Sequence, residues 1–192
     1  MIIESIGSSL IVGLLRGGKF SNMKDGEIHK WYFIVASFFV EFTAVFLTEK
    51  GYQVISNYIF LIHFISYTLL FIGISFNIGR LSFKLILLGT LLNFIVIMLN
   101  GGQMPVSETA MIKAGLADDL KALLQGDIVT HTIITKNTIL HFLGDIIVLP
   151  KPYPRPKVLS LGDLFMAVGV FVFLQEIMVK KVVKRTLSSK AI

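Results

Sequence analysis

Residues 81–99 read LSFKLILLGTLLNFIVIML, an apolar run that carries a single charge, Lys84. A run of this length crosses the hydrocarbon core of a bilayer when it is helical. Lipid offers no partner for unpaired backbone groups, so an open-ended spanning segment has to be a helix. Further apolar runs cover residues 31–48, 54–76 and 161–179, and a shorter one covers 2–15. The sequence therefore predicts an integral membrane protein of about five transmembrane helices.

The composition argues against an ordinary water-soluble domain. Hydrophobic residues make up 54% of the chain and charged residues only 16%, whereas about a quarter of the residues of soluble domains are charged. The 16 Phe and the long aliphatic runs exceed what a core of 192 residues can bury. The net charge of +6 is typical of basic loops beside apolar helices. We therefore expect the lipid bilayer, and not nucleic acid, as a partner.

The first apolar segment, residues 2–15, has no basic residue before it and no small-residue cleavage site after it. These features favour a retained segment over a cleaved signal peptide. Because the segment is shorter than the roughly 20 residues that span a bilayer, we interpret it as a tilted span, or one in a thinned bilayer, with a re-entrant segment as the alternative.

The distribution of basic residues predicts the orientation. They concentrate in the loop after the first helix, in the loop after the third helix and in the tail: Arg16, Lys19, Lys24, Lys30, Arg80, Lys84, Lys180, Lys181, Lys184, Arg185 and Lys190. A five-helix topology puts these three segments on one side, and the positive-inside rule makes that side cytoplasmic. We expect the N-terminus outside and the C-terminus inside.

The resulting fold is an all-α membrane protein with a partly structured extracytoplasmic cap. Residues 1–99 contain the first four spans, 100–160 the cap, 161–179 the last span and 180–192 a basic cytoplasmic tail.

Capping residues predict two short helices inside the cap. Ser107 is a candidate N-cap for a helix that ends before Gly115, and a second helix over 116–125 would end at Gly126. The periodicity of 128–149 fits helix or strand equally. The prolines of 151–156 predict an extended linker.

Residues 100–106 read NGGQMPV, where the fourth span ends. One interpretation is a helix C-cap and a turn, since Asn and Gly adopt left-handed backbone angles. The other is a ligand site, because paired glycines let a backbone approach a ligand closely. Asn100 would then be the polar contact.

Several motifs together resemble one known family. They are NGGQMPV at 100–106, LGDII at 143–147, SLGD at 160–163, LLRGG at 14–18 and the pair His131-Thr132. This set, which covers nearly the whole chain, is similar to an uncharacterised family of small bacterial multi-pass membrane proteins that is defined as a domain of unknown function. The resemblance implies a bacterial plasma membrane and supplies no activity. A second histidine often adjoins the His131 position in that family, whereas Thr130 and Thr132 flank it here.

Asp145 and Asp163 each follow a glycine and are candidate catalytic residues. Two neighbouring carboxylates push their pKa values apart, as general acid–base chemistry requires. The pattern faintly resembles lipoprotein signal peptidase, although the Asn-x-x-Asp-Arg motif of that enzyme is missing. Alternatively, Asp163 caps the last helix and Asp145 closes a turn. We predict that both converge with His131 near Asn100 in one polar pocket at the outer membrane surface.

A metal site is a further alternative. His141 and Asp145 have the four-residue spacing that places two side chains on one helical face, and His131 or Asp163 would supply a third ligand. No compact metal-binding motif is present, so we do not predict a metal centre, and the sequence names no cofactor. The chain has no cysteine, which excludes thiolate ligands.

Three polar side chains are predicted near the middle of the second, third and fourth spans: Glu41, His63 and Asn93. Such groups are costly in hydrocarbon unless they are paired. They fit an interhelical hydrogen-bonded clamp or part of an ion pathway, and we expect Glu41 to pair with His63 or Asn93.

Three functions are compatible with the sequence. The first is binding of a lipid, small ligand or partner membrane protein through a polar pocket at the outer surface, with the ligand set Asn100, Gly101, Gly102, Met104, Pro105, His131, Asp145 and Asp163. The second is an aspartate-dependent membrane hydrolase. The third is a small transporter centred on Glu41 and His63, which lacks visible inverted repeats.

Overall fold

The computed structural model describes residues 1–50, 52 and 54–179. The protein is mostly helical, as predicted. Its α-helices are α1 (Ile2–Leu15), α2 (Trp31–Glu49), α3 (Val54–Asn57), α4 (Ile59–Ser75), α5 (Leu81–Leu99), α6 (Glu108–Ala114), α7 (Ala117–Gln125) and α8 (Leu161–Met178), with 3₁₀ turns at Phe20–Asp25 and His141–Leu143. The predicted basic tail, 180–192, lies outside the described residues.

The expectation of an all-α protein needs one correction, because the cap also contains strands. They are β1 (Met104–Val106), β2 (His131–Ile133), β3 (Ile147–Leu149) and β4 (Lys157–Leu159). β1 pairs with β2 in parallel, and β3 pairs with β4 antiparallel. The Pro-rich stretch 151–156 therefore connects a β-hairpin and is not an open linker. The predicted cap helices are confirmed as α6 and α7, with Ser107 as N-cap.

Among the described residues, three helices are long and apolar enough to cross a membrane: Trp31–Thr48, Leu81–Leu99 and Leu161–Met178. Ile2–Leu15 and Ile59–Ser75 are apolar but shorter. The predicted helix over 54–76 is interrupted at Tyr58, between α3 and α4. Asn57 ends α3, in keeping with the tendency of Asn to compete with the helical backbone for hydrogen bonds.

Small and hydroxyl-bearing residues hold the long helices together. The backbones of α5 and α8 approach closely at Gly89 and Gly162, where an added Cβ would lie 2.4–2.6 Å from a carbonyl oxygen of the other glycine. On α1, the Ser9 hydroxyl donates to the Phe171 carbonyl of α8 (2.8 Å). Ser37 of α2 bonds Ser66 of α4 (3.1 Å). This is the packing that helices use where lipid removes the hydrophobic drive to associate.

The long helices run between two ends: α1 and α8 start at the cap end and pack in parallel, whereas α5 runs antiparallel to α8. At the cap end, Lys157 of β4 contacts Glu4 of α1 (2.7 Å). At the opposite end, Arg16 donates to Gln175 of α8 (2.9 Å), and Arg80 donates to the Glu27 carbonyl (3.1 Å). The basic loop residues before α2 and α5 therefore share the end that faces away from the cap.

Candidate functional site

β1 brings two polar side chains of the cap together. Met104 is in register with His131 on β2, and Val106 forms a parallel bridge with Asp145 on the other side of β1. Positions 104 and 106 are two residues apart and share a face of the strand. Their partners, His131 and Asp145, therefore also lie on that face. His131 Nε2 lies 3.5 Å from Asp145 Oδ2, and His131 Nδ1 hydrogen-bonds Thr130 Oγ1 (2.8 Å).

Glycines allow the motif at 143–147 to pack against the motif at 100–106, and the latter to pack against α4. The Asp145 amide donates to the Pro105 carbonyl (2.8 Å), and a Cβ at Gly144 would lie 2.4 Å from that oxygen. Gly102, at φ +85°, lies so close to α4 that an added Cβ would be only 2.4 Å from the Phe60 Cα. Only glycine meets both requirements at position 102. The motif thereby joins the cap to the start of α4.

The start of α8 positions Asp163. Ser160 and Asp163 form a capping box, in which the Ser160 Oγ accepts from the Asp163 amide (2.9 Å) and Asp163 Oδ2 accepts from the Ser160 amide (3.0 Å). Asn93 of α5 donates to Asp163 Oδ1 (3.1 Å) and accepts from the Ser160 hydroxyl (2.9 Å). Asp163 therefore caps the helix and also joins a buried network with α5.

His63 connects α2, α4 and the cap. Its Nε2 lies 3.2 Å from Glu41 Oε2 of α2, and its Nδ1 donates to the Gly102 carbonyl (2.5 Å). A carbonyl only accepts hydrogen bonds, so Nδ1 carries a proton, and Nε2 faces the Glu41 carboxyl. Because α4 begins at Ile59, His63 lies in its second turn, near the cap, and not at mid-span as predicted.

These groups line one cavity of about 290 Å³. It lies between α2 and α4 on one side and α5, α8 and the cap on the other. The lining residues are Glu41, His63, Tyr67, Asn93, Ile97, Met104, Thr130, His131, Asp145 and Asp163. The volume is at the small end for ligand pockets in proteins.

Two carboxylate oxygens at this cavity are buried and lack a hydrogen-bond partner among the described residues, namely Asp145 Oδ1 and Glu41 Oε1. Asp145 is only 7% exposed. Burial raises the pKa of its carboxyl above the usual range, contact with His131 opposes the rise, and the charge of Asp163 adds to it. An unsatisfied buried acceptor is costly, so these oxygens call for a donor from a bound molecule or water.

The structure brings together most of the residues predicted from sequence. The cap residues Met104, His131 and Asp145 and the α8 residue Asp163 meet the interior residues at the same cavity, namely Glu41, His63 and Asn93. Asn100 does not line it: it ends α5, and its side chain bonds the backbone of Val96 and Ile139. Gly101, Gly102 and Pro105 are also outside the lining, where they shape the turn and β1.

Sequence reasoning missed Tyr67, Thr130 and Ile97. Tyr67 lies four residues after His63, hence on the same face of α4, and this spacing was a usable signal. Thr130 adjoins His131. Ile97 follows Asn93 at the same spacing on α5.

The proposed metal ligands do not form a cluster. His141 is exposed and its ring packs against Phe142 (6.1 Å between centroids), whereas Asp145 is buried. The helical spacing assumed for the two does not apply, because 141–143 is a 3₁₀ turn followed by extended backbone. Within residues 1–50, 52 and 54–179, no three His, Asp or Glu side chains are placed to hold a metal ion.

Comparisons with known proteins identify a family. The family described as "Family of unknown function (DUF5317)" matches residues 25–175. An "Uncharacterized protein" of Thermotoga maritima is 33% identical over 109 residues, which are 57% of this chain and 60% of that relative. The chain therefore aligns with less than two thirds of the relative's length. No solved structure matches the chain.

Proposed function

The chain belongs to the DUF5317 family of unknown function, and we propose that it is a bacterial plasma-membrane protein that binds a small polar ligand in the cavity between its helices and cap. The observation that carries this proposal is the cavity itself. Seven side chains that the sequence analysis had placed in two separate groups line it, and two of its buried acceptors lack a partner among the described residues.

The membrane placement rests on exposed apolar surface and on loop charge. Phe38, Phe39 and Phe42 of α2 are 53%, 68% and 69% exposed, and such a face is costly in water but favourable in lipid. With α1, α2, α4, α5 and α8 as five spans, the basic loops lie in the cytoplasm, and the cap and cavity lie at the outer surface. The bilayer around the shorter α1 and α4 would then be locally thinned, or these helices would be tilted.

Cysteine labelling tests this topology, because the natural chain has no cysteine. Lys136 of the cap and Lys24 of the opposite end are both exposed. A membrane-impermeant maleimide should label Lys136→Cys in intact cells and Lys24→Cys only after lysis. The reverse pattern would invert the orientation.

A second experiment tests the cavity. We expect Thr130→Cys to react with a small water-soluble thiosulfonate in the folded protein, since a ligand site has to exchange with water. In Ile97→Trp, which fills the cavity, the introduced cysteine should be protected. An unreactive Thr130→Cys in the otherwise native chain would mean a sealed cavity and would contradict the binding function.

An aspartate-dependent hydrolase is the second candidate, because Asp145 and Asp163 line the same cavity in different environments. Asp145 has a raised pKa and a free oxygen, whereas both oxygens of Asp163 accept hydrogen bonds. Unequal carboxyls suit separate acid and base roles. Cleavage of a fluorogenic lipopeptide by the purified protein, lost in Asp145→Asn, would favour this candidate. Absence of cleavage would leave ligand binding as the function.

A further inference from the structure

We propose, on the basis of the ligand-binding function above, that the occupant of the cavity is a small organic cation bearing a primary ammonium group. Two histidine–carboxylate pairs line the cavity, Glu41 with His63 and Asp145 with His131. Each pair uses one carboxylate oxygen and leaves the other, Glu41 Oε1 or Asp145 Oδ1, buried and without a donor among the described residues.

The balance of charge at the cavity favours a cation. The carboxyls of Glu41, Asp145 and Asp163 line it, and no Lys or Arg is among the described lining residues. With the carboxyls ionised, the lining stays negative even if both imidazoles are protonated. An anionic ligand would add repulsion, and a neutral ligand would leave this charge uncompensated.

An ammonium group also matches the hydrogen-bonding requirement. It carries three N–H donors and no acceptor, so one group can donate to more than one of the carboxyl oxygens that line the cavity. Tyr67 adds an aromatic ring to the lining, and aromatic faces attract cations. A metal ion is a poorer match, because the second oxygens of Glu41 and Asp145 already contact histidines and no third ligand group is placed for it within residues 1–50, 52 and 54–179.

The protonation behaviour of Asp145 is consistent with this occupant. Burial raises the pKa of its carboxyl above the ordinary value. The titratable groups that line the cavity with it are Glu41 of α2, His63 and Tyr67 of α4, Asp163 of α8 and His131 of β2. A bound ammonium would stabilise the ionised carboxylate, so binding should lower this pKa.

Calorimetric titration of the full-length protein in nanodiscs tests the inference with three probes of similar size: propylammonium, 1-propanol and propionate. We expect saturable binding of propylammonium alone. Glu41→Gln and Asp145→Asn preserve shape and should each weaken binding roughly tenfold or more, since each removes a charged hydrogen-bond acceptor. Glu108→Gln, an exposed carboxylate on α6, is the control and should bind as the wild type does.

Failure of propylammonium to bind, or unchanged affinity in both Glu41→Gln and Asp145→Asn, would overturn the assignment. Tighter binding of Mg²⁺ than of propylammonium would overturn it as well. If 1-propanol or propionate binds instead, and Ile97→Trp abolishes that binding, the cavity remains a ligand site and only the ammonium class is wrong.

Discussion

Adding one methyl group at Gly162 should be among the most damaging small changes to the fold. A Cβ there lies 2.0 Å from Asn93 Oδ1 and 2.6 Å from the Gly89 carbonyl oxygen. Since such contacts need about 3 Å, the Asn93 oxygen would have to move by about 1 Å and the backbone of Gly89 by about 0.4 Å. Overpacking of this kind costs about 1–3 kcal/mol, and weakening of the Asn93 hydrogen bonds adds about 1 kcal/mol.

We therefore expect Gly162→Ala to lower the free energy of unfolding by about 2–4 kcal/mol, which corresponds to a fall in Tm of roughly 4–16 °C for a chain of this size. Thermal unfolding in detergent, followed by circular dichroism, measures it. Gly7→Ala is the matched control, because Gly7 is also helical but has no atom within 4 Å of the added methyl position; its Tm should stay constant or rise. A Tm of Gly162→Ala within about 1 °C of wild type would refute the close α5–α8 approach, and with it the placement of Asn93 beside Asp163.

Three further predictions follow from the site and the cap. His63→Leu leaves two buried acceptors unpaired and should lower Tm by several degrees, whereas His29→Leu, at an exposed position, should not. The pKa of Asp145 is higher in the folded protein than in the unfolded chain, so the unfolded chain loses this proton first as pH rises. The free energy of unfolding should therefore fall as pH rises from the ordinary pKa of 3.8 to the folded value. Measurements of unfolding against pH should show a flatter slope for Asp145→Asn. Ser107→Ala removes the N-cap of α6 and should cost about 1 kcal/mol, seen as faster hydrogen exchange in that helix.

The sequence predicts those parts of the fold that local chemistry determines. The apolar runs at 2–15 and 81–99 coincide with α1 and α5, because their length and composition specify helix without reference to the rest of the chain. Ser107, Gly115 and Gly126 set the ends of α6 and α7 for the same reason. The strands of 128–149 were ambiguous, since three-residue strands leave too short a pattern for a period to emerge.

The sequence did not predict that the two groups of polar residues share one cavity, because this depends on how the helices are offset along their axes. The residues Glu41 and His63 were expected at mid-span and Asp145 in the cap, as two separate groups. Counting 54–76 as one helix placed His63 about a turn too deep. The interruption at Tyr58 moves the start of α4 to Ile59 and brings His63 to the level of the cap.

The position of α4 relative to the cap also explains the role of Gly102 in the 100–106 motif, although Gly102 does not line the cavity. The backbone of Gly102 lies against Phe60 in the first turn of α4, and its carbonyl holds His63 Nδ1. A side chain at position 102 would push α4 away from the cap, and the His63 imidazole would lose the acceptor that fixes its proton on Nδ1. Nε2 would then no longer be held in contact with Glu41. The glycine thus acts on the cavity through the tautomer and position of one histidine, which links a turn outside the helices to a carboxylate on α2.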